Sequence, residues 1–289
     1  TRSGCATSPT PGSWPGATRT RSAAPLWVAT VSGLLAWGAL VHYARFLLPA
    51  LVPAAALAGT PEQVANDFHP VFRSTVGDRN IVGAAYVVVT PDEIIRIGTA
   101  GHTDTRRSQA INENTVFRVA SVSKTFAAGL SGVLVAEGEF GWDDRVIDYI
   151  PDFRVDGDAS QVRIENLLGQ STGLIPHAYD NLIEDGLTME RIVPKLSTLG
   201  YICEPGECYS YQNIVFSLIE PVMAQSTQRD YADLMNEKIF GPLDMRDASV
   251  GLAPLINDPN HARPHVKSRG QWRTVKVQPN YYRVAPAAG

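Results

Sequence analysis

No acidic residue precedes Glu62, and the only charges before it are Arg2, Arg19, Arg21 and Arg45. That opening stretch therefore carries +4, and the rest must carry −8 to reach the chain's net −4. Cysteine is scarce: Cys5, Cys203 and Cys208 are the three present. Four ligands at zinc spacing are missing, so no metal is expected, and no organic cofactor is implied. Basic charge is also in deficit. A pI near 5.9 offers no face for nucleic acid, and none is expected as a partner. There is no internal repeat. What remains is an ordinary globular composition, 44% hydrophobic and 19% charged, in 289 residues. That length suits one large domain or two modest ones.

The acid-free opening differs in kind from the body. Residues 1–22 are rich in Pro, Gly, Ser and Thr and are expected to form a disordered leader. Residues 23–41, "AAPLWVATVSGLLAWGALV", carry no charge and have the length of a membrane-spanning helix or a signal h-region. Arg19 and Arg21 lie before them, on the side the positive-inside rule keeps cytoplasmic. A second apolar run, "FLLPALVPAAALAG", contains Ala56-Leu57-Ala58, a small-x-small cleavage pattern. Residues 23–59 are thus expected to be a signal peptide or an inner-membrane anchor. Either one exports residues 60–289, so the expected location is periplasmic or extracellular. Cys203 and Cys208 frame a tight turn, "CEPGEC", where an oxidising compartment favours a disulfide.

Along the body, Val64, Phe68, Val71 and Phe72 recur at helical spacing and predict an amphipathic helix over 61–74. Two β-branched runs follow, 81–90 and 93–101, joined by Pro91-Asp92, and predict an antiparallel hairpin. A helix is predicted from Ser121 to Glu137, ending at Gly138, and then a mainly helical region with short loops. Residues 251–289 read as loop and then strand, with "WRTVKVQ" as the strand. Two strands do not make a stable sheet alone, so a chain cut before its closing strands is expected.

The chemistry centres on "FRVASVSK". A serine hydroxyl is a poor nucleophile until a base takes its proton. Position i+3 of a helix lies on the same face, so Lys124 is expected to bring its amine beside the Ser121 oxygen. The N–H groups of the helix start favour negative charge there. The few charges that follow predict a helix buried all round, which would desolvate Lys124. A second element is "PGECYSYQN". Tyr211 beside a lysine can shuttle protons, and Asn213 can hold a substrate amide and the lysine. The bland alternatives are a capping serine with a surface lysine, and a core tyrosine with a capping asparagine.

Two other patterns compete. Gly169-Gln170-Ser171-Thr172-Gly173 fits the G-x-S-x-G elbow, but that motif needs a strand before it, and "VRIENLL" has helical spacing. His261 and His265 have the spacing of a metal pair, but Pro264 lies between them, and both read as loop histidines.

Together these pieces resemble the serine β-lactamase and penicillin-binding-protein superfamily, in its class C-related branch. The carriers are "FRVASVSK" for S-x-x-K, "PGECYSYQN" for the turn into Y-x-N, and "LLGQSTGL" for the segment usually written L-L-x-H-T-S-G-L. The resemblance runs from about residue 63 to the end. It implies an α/β fold of the α+β kind, in which an antiparallel sheet flanked by helices joins a mostly helical region. It implies Ser121 as the acylated nucleophile, Lys124 as its general-base partner and Tyr211 as the shuttle. It also implies Asn213 and Gln170 as substrate contacts, Gln170 standing where the family has His, and the Ser121 N–H as half of an oxyanion hole. The family's third motif, K-T-G or H-x-G, is missing, and "KSRG" at 267–270 is near only in letters. "FRVAS" lacks the acid and glycine of dedicated class C lactamases, which favours peptidase or esterase. The implied substrate is a β-lactam, a peptidoglycan-like D-Ala-D-Ala peptide or an ester. The alternatives are a membrane-anchored penicillin sensor that acylates without turnover, and a family VIII-type carboxylesterase.

Overall fold

The computed structural model describes residues 59–289. The leader at 1–22 and all but the last residue of the apolar segment 23–59 lie outside the described residues.

The body opens with helix α1, Pro61–Asp78. Thr60 starts it with a reciprocal cap: its hydroxyl accepts from the Gln63 N–H at 3.3 Å, and Gln63 Oε1 accepts from the Thr60 N–H at 2.8 Å. Pro61 at the first helical position needs no partner for a missing N–H. The helix runs four residues beyond the expected end at 74. Its buried face also differs from expectation. Ala65, Phe72 and Val76 are buried, whereas Val64 and Val71 are exposed.

That face packs on a hairpin of β1, Gly83–Val89, and β2, Ile94–Gly101, paired antiparallel from Gly83↔Gly101 to Val89↔Ile94. Tyr86 joins helix to hairpin. Its ring meets Phe68 at 4.8 Å and Phe72 at 4.7 Å, both edge-on. The same ring lies over Gly98 of the facing strand, where a Cβ would come within 2.0 Å of it. Only glycine fits under that ring.

The helical region follows. A single 3-10 turn, Ala120–Val122, leads into α2, Ser123–Glu137. Gly138 ends α2 in the left-handed conformation (φ 81°), and the N–H groups of Gly138 and Glu139 reach back to the Leu134 and Val135 carbonyls. Ala127, Leu130 and Leu134 are buried, but Thr125, Gly129 and Ala136 are exposed. The helix is therefore not enclosed all round, as its low charge had suggested. Its buried face packs on the terminal helix α10 (Ala285–Ala288) and on α8 (Tyr231–Met235), which continues as a π-turn over Asn236–Phe240, and it shares one core with α3 (Val146–Tyr149), α4 (Ile164–Leu168) and α7 (Ile219–Thr227). Cutting Leu130 or Leu134 to alanine would cost roughly 2–5 kcal/mol, the usual range for a large-to-small change in a closed core.

Several short elements were not anticipated from sequence: α5 (Asp180–Glu184), α9 (Leu252–Asn257) and α10 (Ala285–Ala288). α6 (Met189–Ile192) lies in a stretch expected to be helical. In the expected terminal strand, only Gln271–Thr274 is extended, as β4. It pairs antiparallel with β3, His265–Ser268, and "KSRG" proves to be the hairpin turn. Arg269 (φ 50°) and Gly270 (φ 80°) supply the two positive φ angles that a two-residue turn between twisted strands demands. His265 thus sits in a strand rather than a loop. Both observed sheets are two-stranded, and the architecture is mixed α/β. No helix among the described residues is long and apolar enough to cross a membrane.

Candidate active site

Two chain segments build the site. The first is the turn before α2. Ala120 takes φ 47°, a left-handed conformation that costs a non-glycine residue about 1 kcal/mol or more. Ala120 opens the 3-10 turn and Ser121, its second residue, is exposed, where first-turn N–H groups have no intrahelical partner. The second segment is residues 209–213. It is zipped to residues 170–177 by backbone and side-chain bonds. The Ser210 N–H donates to the Gln170 carbonyl at 2.7 Å, and the His177 N–H to the Tyr211 carbonyl at 2.8 Å. The Ser210 hydroxyl donates to the Leu174 carbonyl, and Gln212 Nε2 to that of Ile175.

These segments meet at Lys124. Its ammonium hydrogens reach three acceptors: Tyr211 Oη at 2.8 Å, Asn213 Oδ1 at 2.7 Å and the Ala287 carbonyl of α10 at 2.9 Å. The ammonium also lies 4.6 Å from the centre of the Tyr211 ring and 5.3 Å from that of Phe216, where a cation is favoured. Tyr211 in turn donates to Ser121 Oγ at 2.9 Å. The lysine thus reaches the serine through the tyrosine. Among the described residues the two are hydrogen-bonded through Tyr211, where a direct Ser121–Lys124 contact was expected.

The cleft over these groups has a volume of about 590 Å³, and its lining includes Ser121, Tyr211, Asn213, His177, Asp180 and Tyr281. Asp180 Oδ2 accepts from Asn213 Nδ2 at 2.9 Å and lies 2.9 Å from His177 Nδ1. The His177 ring rests 5.2 Å from the Tyr211 ring. Tyr281 donates to Glu184 Oε1 at 2.8 Å. Burial, with that carboxylate contact adding to it, pushes the Tyr281 phenol up to about 12.

Of the residues singled out by sequence, Ser121, Lys124, Tyr211 and Asn213 are brought together. Gln170 is not with them. It was expected at the substrate, but it is 6% exposed, and both ends of its amide are consumed by the Gln212 backbone. It holds the segment carrying Tyr211 from behind. Cys203 and Cys208 are joined in a disulfide that closes the loop leading to Tyr211. At the rival elbow, Ser171 follows helix α4 rather than a strand, and its hydroxyl meets Asn166 Nδ2 at 3.4 Å. No group of three His, Cys, Asp or Glu among the described residues is placed to hold a metal. A separate apolar cavity of about 260 Å³ lies on the other side of the Ala120 turn, against Phe126, Met235 and Phe240. Its Ser123 hydroxyl donates to the Gly289 carbonyl at 3.2 Å.

Sequence reasoning passed over His177, Asp180 and Tyr281. The signal available was "PHAYDN": a histidine and an aspartate three residues apart, directly after the Leu-Ile-Pro that ends the apolar segment.

Comparison with known proteins agrees with this geometry. Residues 68–289 match the family described as Beta-lactamase, and the chain belongs to that family. It is 29% identical over 193 residues to "Esterase EstB" of Burkholderia gladioli, covering 61% of this chain and 49% of that protein. It is 25% identical over 182 residues to "Penicillin-binding protein 4*" of Bacillus subtilis (strain 168), covering 61% of this chain and 40% of that protein. The chain therefore spans half or less of these relatives' length. Among solved structures, the octameric penicillin-binding protein homologue from Pyrococcus abyssi superposes with a TM-score of 0.66 at 20% identity. That match covers 78% of this chain and 52% of the other, and it supports the fold.

Proposed function

We propose that this β-lactamase family member is a serine hydrolase that forms an acyl-enzyme on Ser121. The observation that carries this reading is the hydrogen-bonded chain from Lys124 through Tyr211 to Ser121 at the floor of an open cleft. Attack requires the Ser121 proton to leave. Lys124 first gives one proton to solvent; Tyr211 then accepts the serine proton while passing its own to the Lys124 amine, which becomes the ammonium again. That ammonium has an acceptor for each of its three hydrogens in Tyr211, Asn213 and Ala287. The relay then runs backwards: Tyr211 protonates the leaving group, and the acyl-enzyme remains. A water in the leaving group's place is deprotonated by the same route to release the acid. The Ser121 N–H faces the developing oxyanion as one of its donors.

The substrate class is an ester, a β-lactam or a D-Ala-D-Ala-type peptide. The esterase name borne by the relative at 29% identity favours an ester. A sensor that acylates without turnover is disfavoured by Tyr211, because a protein that only traps its ligand needs no group to activate water. The proposal extends to an extracytoplasmic location, with residues 23–59 as signal or inner-membrane anchor. It is supported by the uncharged run at 23–41 and by a disulfide of the kind that persists in oxidising compartments.

The test is incubation with a chromogenic short-chain ester and a fluorescent penicillin, followed by mass spectrometry of the labelled peptide. The expected adduct is on Ser121, and Ser121→Ala should lower turnover by about a thousandfold or more. Turnover that survives Ser121→Ala would reject the mechanism. A label on Ser121 that is never released would convert the enzyme into a sensor.

A further inference from the structure

We propose that Asp180 is a positioning residue: its carboxylate fixes the Asn213 amide in the one orientation that offers Lys124 an acceptor. The inference rests on the hydrolase reading above and deepens it.

An asparagine side chain has an oxygen that accepts and a nitrogen that donates, and the two ends are nearly alike in shape. At Lys124 the difference decides everything. With Oδ1 inward, Asn213 accepts an ammonium hydrogen at 2.7 Å. With the amide turned over, two N–H groups would face an ammonium, which accepts nothing. The contact to Lys124 does not fix the orientation whenever the lysine gives up its proton during the relay. The outer end of the amide has to do that. There Nδ2 donates to Asp180 Oδ2 at 2.9 Å. A carboxylate only accepts, so it tolerates the nitrogen and repels the oxygen. Asp180 thus holds the amide through every protonation state of Lys124.

Asp180 is well placed to do this. Its side chain is 14% exposed, at the first turn of α5, and His177 Nδ1 lies against the same oxygen. Because the acceptor is a carboxylate, the Nδ1 of His177 carries the hydrogen. The other oxygen, Oδ1, is buried and has no hydrogen-bond partner. A buried carboxylate oxygen left unpaired costs free energy, and residues that keep such a cost are concentrated at working sites. No ion pair of the described residues involves Lys124, so Asp180, one amide away, is the anion tied to it through Asn213.

The experiment measures steady-state hydrolysis of p-nitrophenyl acetate and of a chromogenic cephalosporin by the whole chain and its variants. Asp180→Ala should lower kcat by about ten- to a hundredfold while KM changes less than about threefold. Asp180→Asn should keep most of the activity, because its amide oxygen can still accept from Asn213 Nδ2. In an Asn213→Ala background, Asp180→Ala should cost less than about twofold more, since the two act as one unit. Thermal unfolding of each variant separates loss of fold from loss of positioning. Equal damage from Asp180→Ala and Asp180→Asn, or additive damage with Asn213→Ala, would overturn the inference. So would full activity of Asp180→Ala beside a dead Ser121→Ala, and that result would leave the hydrolase reading standing. A wild-type chain that neither turns over nor is labelled by either probe overturns both.

Discussion

Two tyrosines line the cleft, and they sit in opposite fields. The oxygen of Tyr211 receives a hydrogen from the Lys124 ammonium and turns its own hydrogen to Ser121. The hydroxyl of Tyr281 is given to the Glu184 carboxylate, and burial with that contact holds its phenol near 12. A remote pair repeats the second pattern: Tyr149 donates to Asp144 at 2.6 Å. Burial and that contact push the phenol up to about 12, while the carboxyl is held below its usual range by the Tyr149 hydrogen bond and the Gly141 N–H. The residue type therefore does not choose the proton shuttle. A phenol tied to a carboxylate keeps its proton, and a phenol bridging a lysine and a serine is the one that can pass it.

The largest test of this contrast is Tyr211→Phe. It keeps the ring contacts with Lys124 and His177 but removes the bridge. The expected loss in kcat/KM is about a hundred- to a thousandfold with thermal stability nearly unchanged, the scale of losing a general acid–base group. A smaller effect is expected from opening the loop that leads to Tyr211. Replacing Cys203 and Cys208 by serine releases a short closed loop and should cost about 2 kcal/mol in denaturant unfolding. Activity should fall less than about tenfold, because residues 209–213 remain zipped to 170–177. The smallest catalytic effect belongs to Tyr281→Phe, less than about threefold in kcat/KM. Its signature lies elsewhere. A phenol raised in the folded state contributes stability that is fully present below its unfolded value near 10 and is lost as pH rises toward 12. Tyr281→Phe should flatten that alkaline decline in unfolding experiments. A variant pair with the reverse outcome, inert Tyr281→Phe and unaffected Tyr211→Phe, would break the contrast.

What the sequence made legible follows from the range over which each signal acts. Ser121, Lys124, Tyr211 and Asn213 were readable because each lies in a short motif whose residue types have few other reasons to occur together. The hairpin and the end of α2 at Gly138 were readable from β-branched runs and a glycine stop. α5, α9 and α10 were not: helices of four to six residues are too short to show a period, and unlike the equally short α3, α4, α6 and α8 they do not lie in a stretch whose apolar spacing reads as helix. The face of α1 was only partly read: Phe72 was counted and is buried, but exposed Val64 and Val71 were counted while small Ala65, which is buried, was not. Gln170 was misplaced for a different reason. Its neighbours in sequence say nothing about the backbone of Gln212, which lies 42 residues away and takes both ends of its amide.

The partners of Lys124 also bear on time. Tyr211 and Asn213 are 87 and 89 residues away along the chain, and Ala287 is 163. Each such meeting closes a loop, and the entropy lost rises with the length of chain enclosed. Contacts of that reach slow folding, whereas helices and hairpins form from neighbours. Because α10 is also part of the core, its loosening would take an acceptor from Lys124 and packing from α2 together.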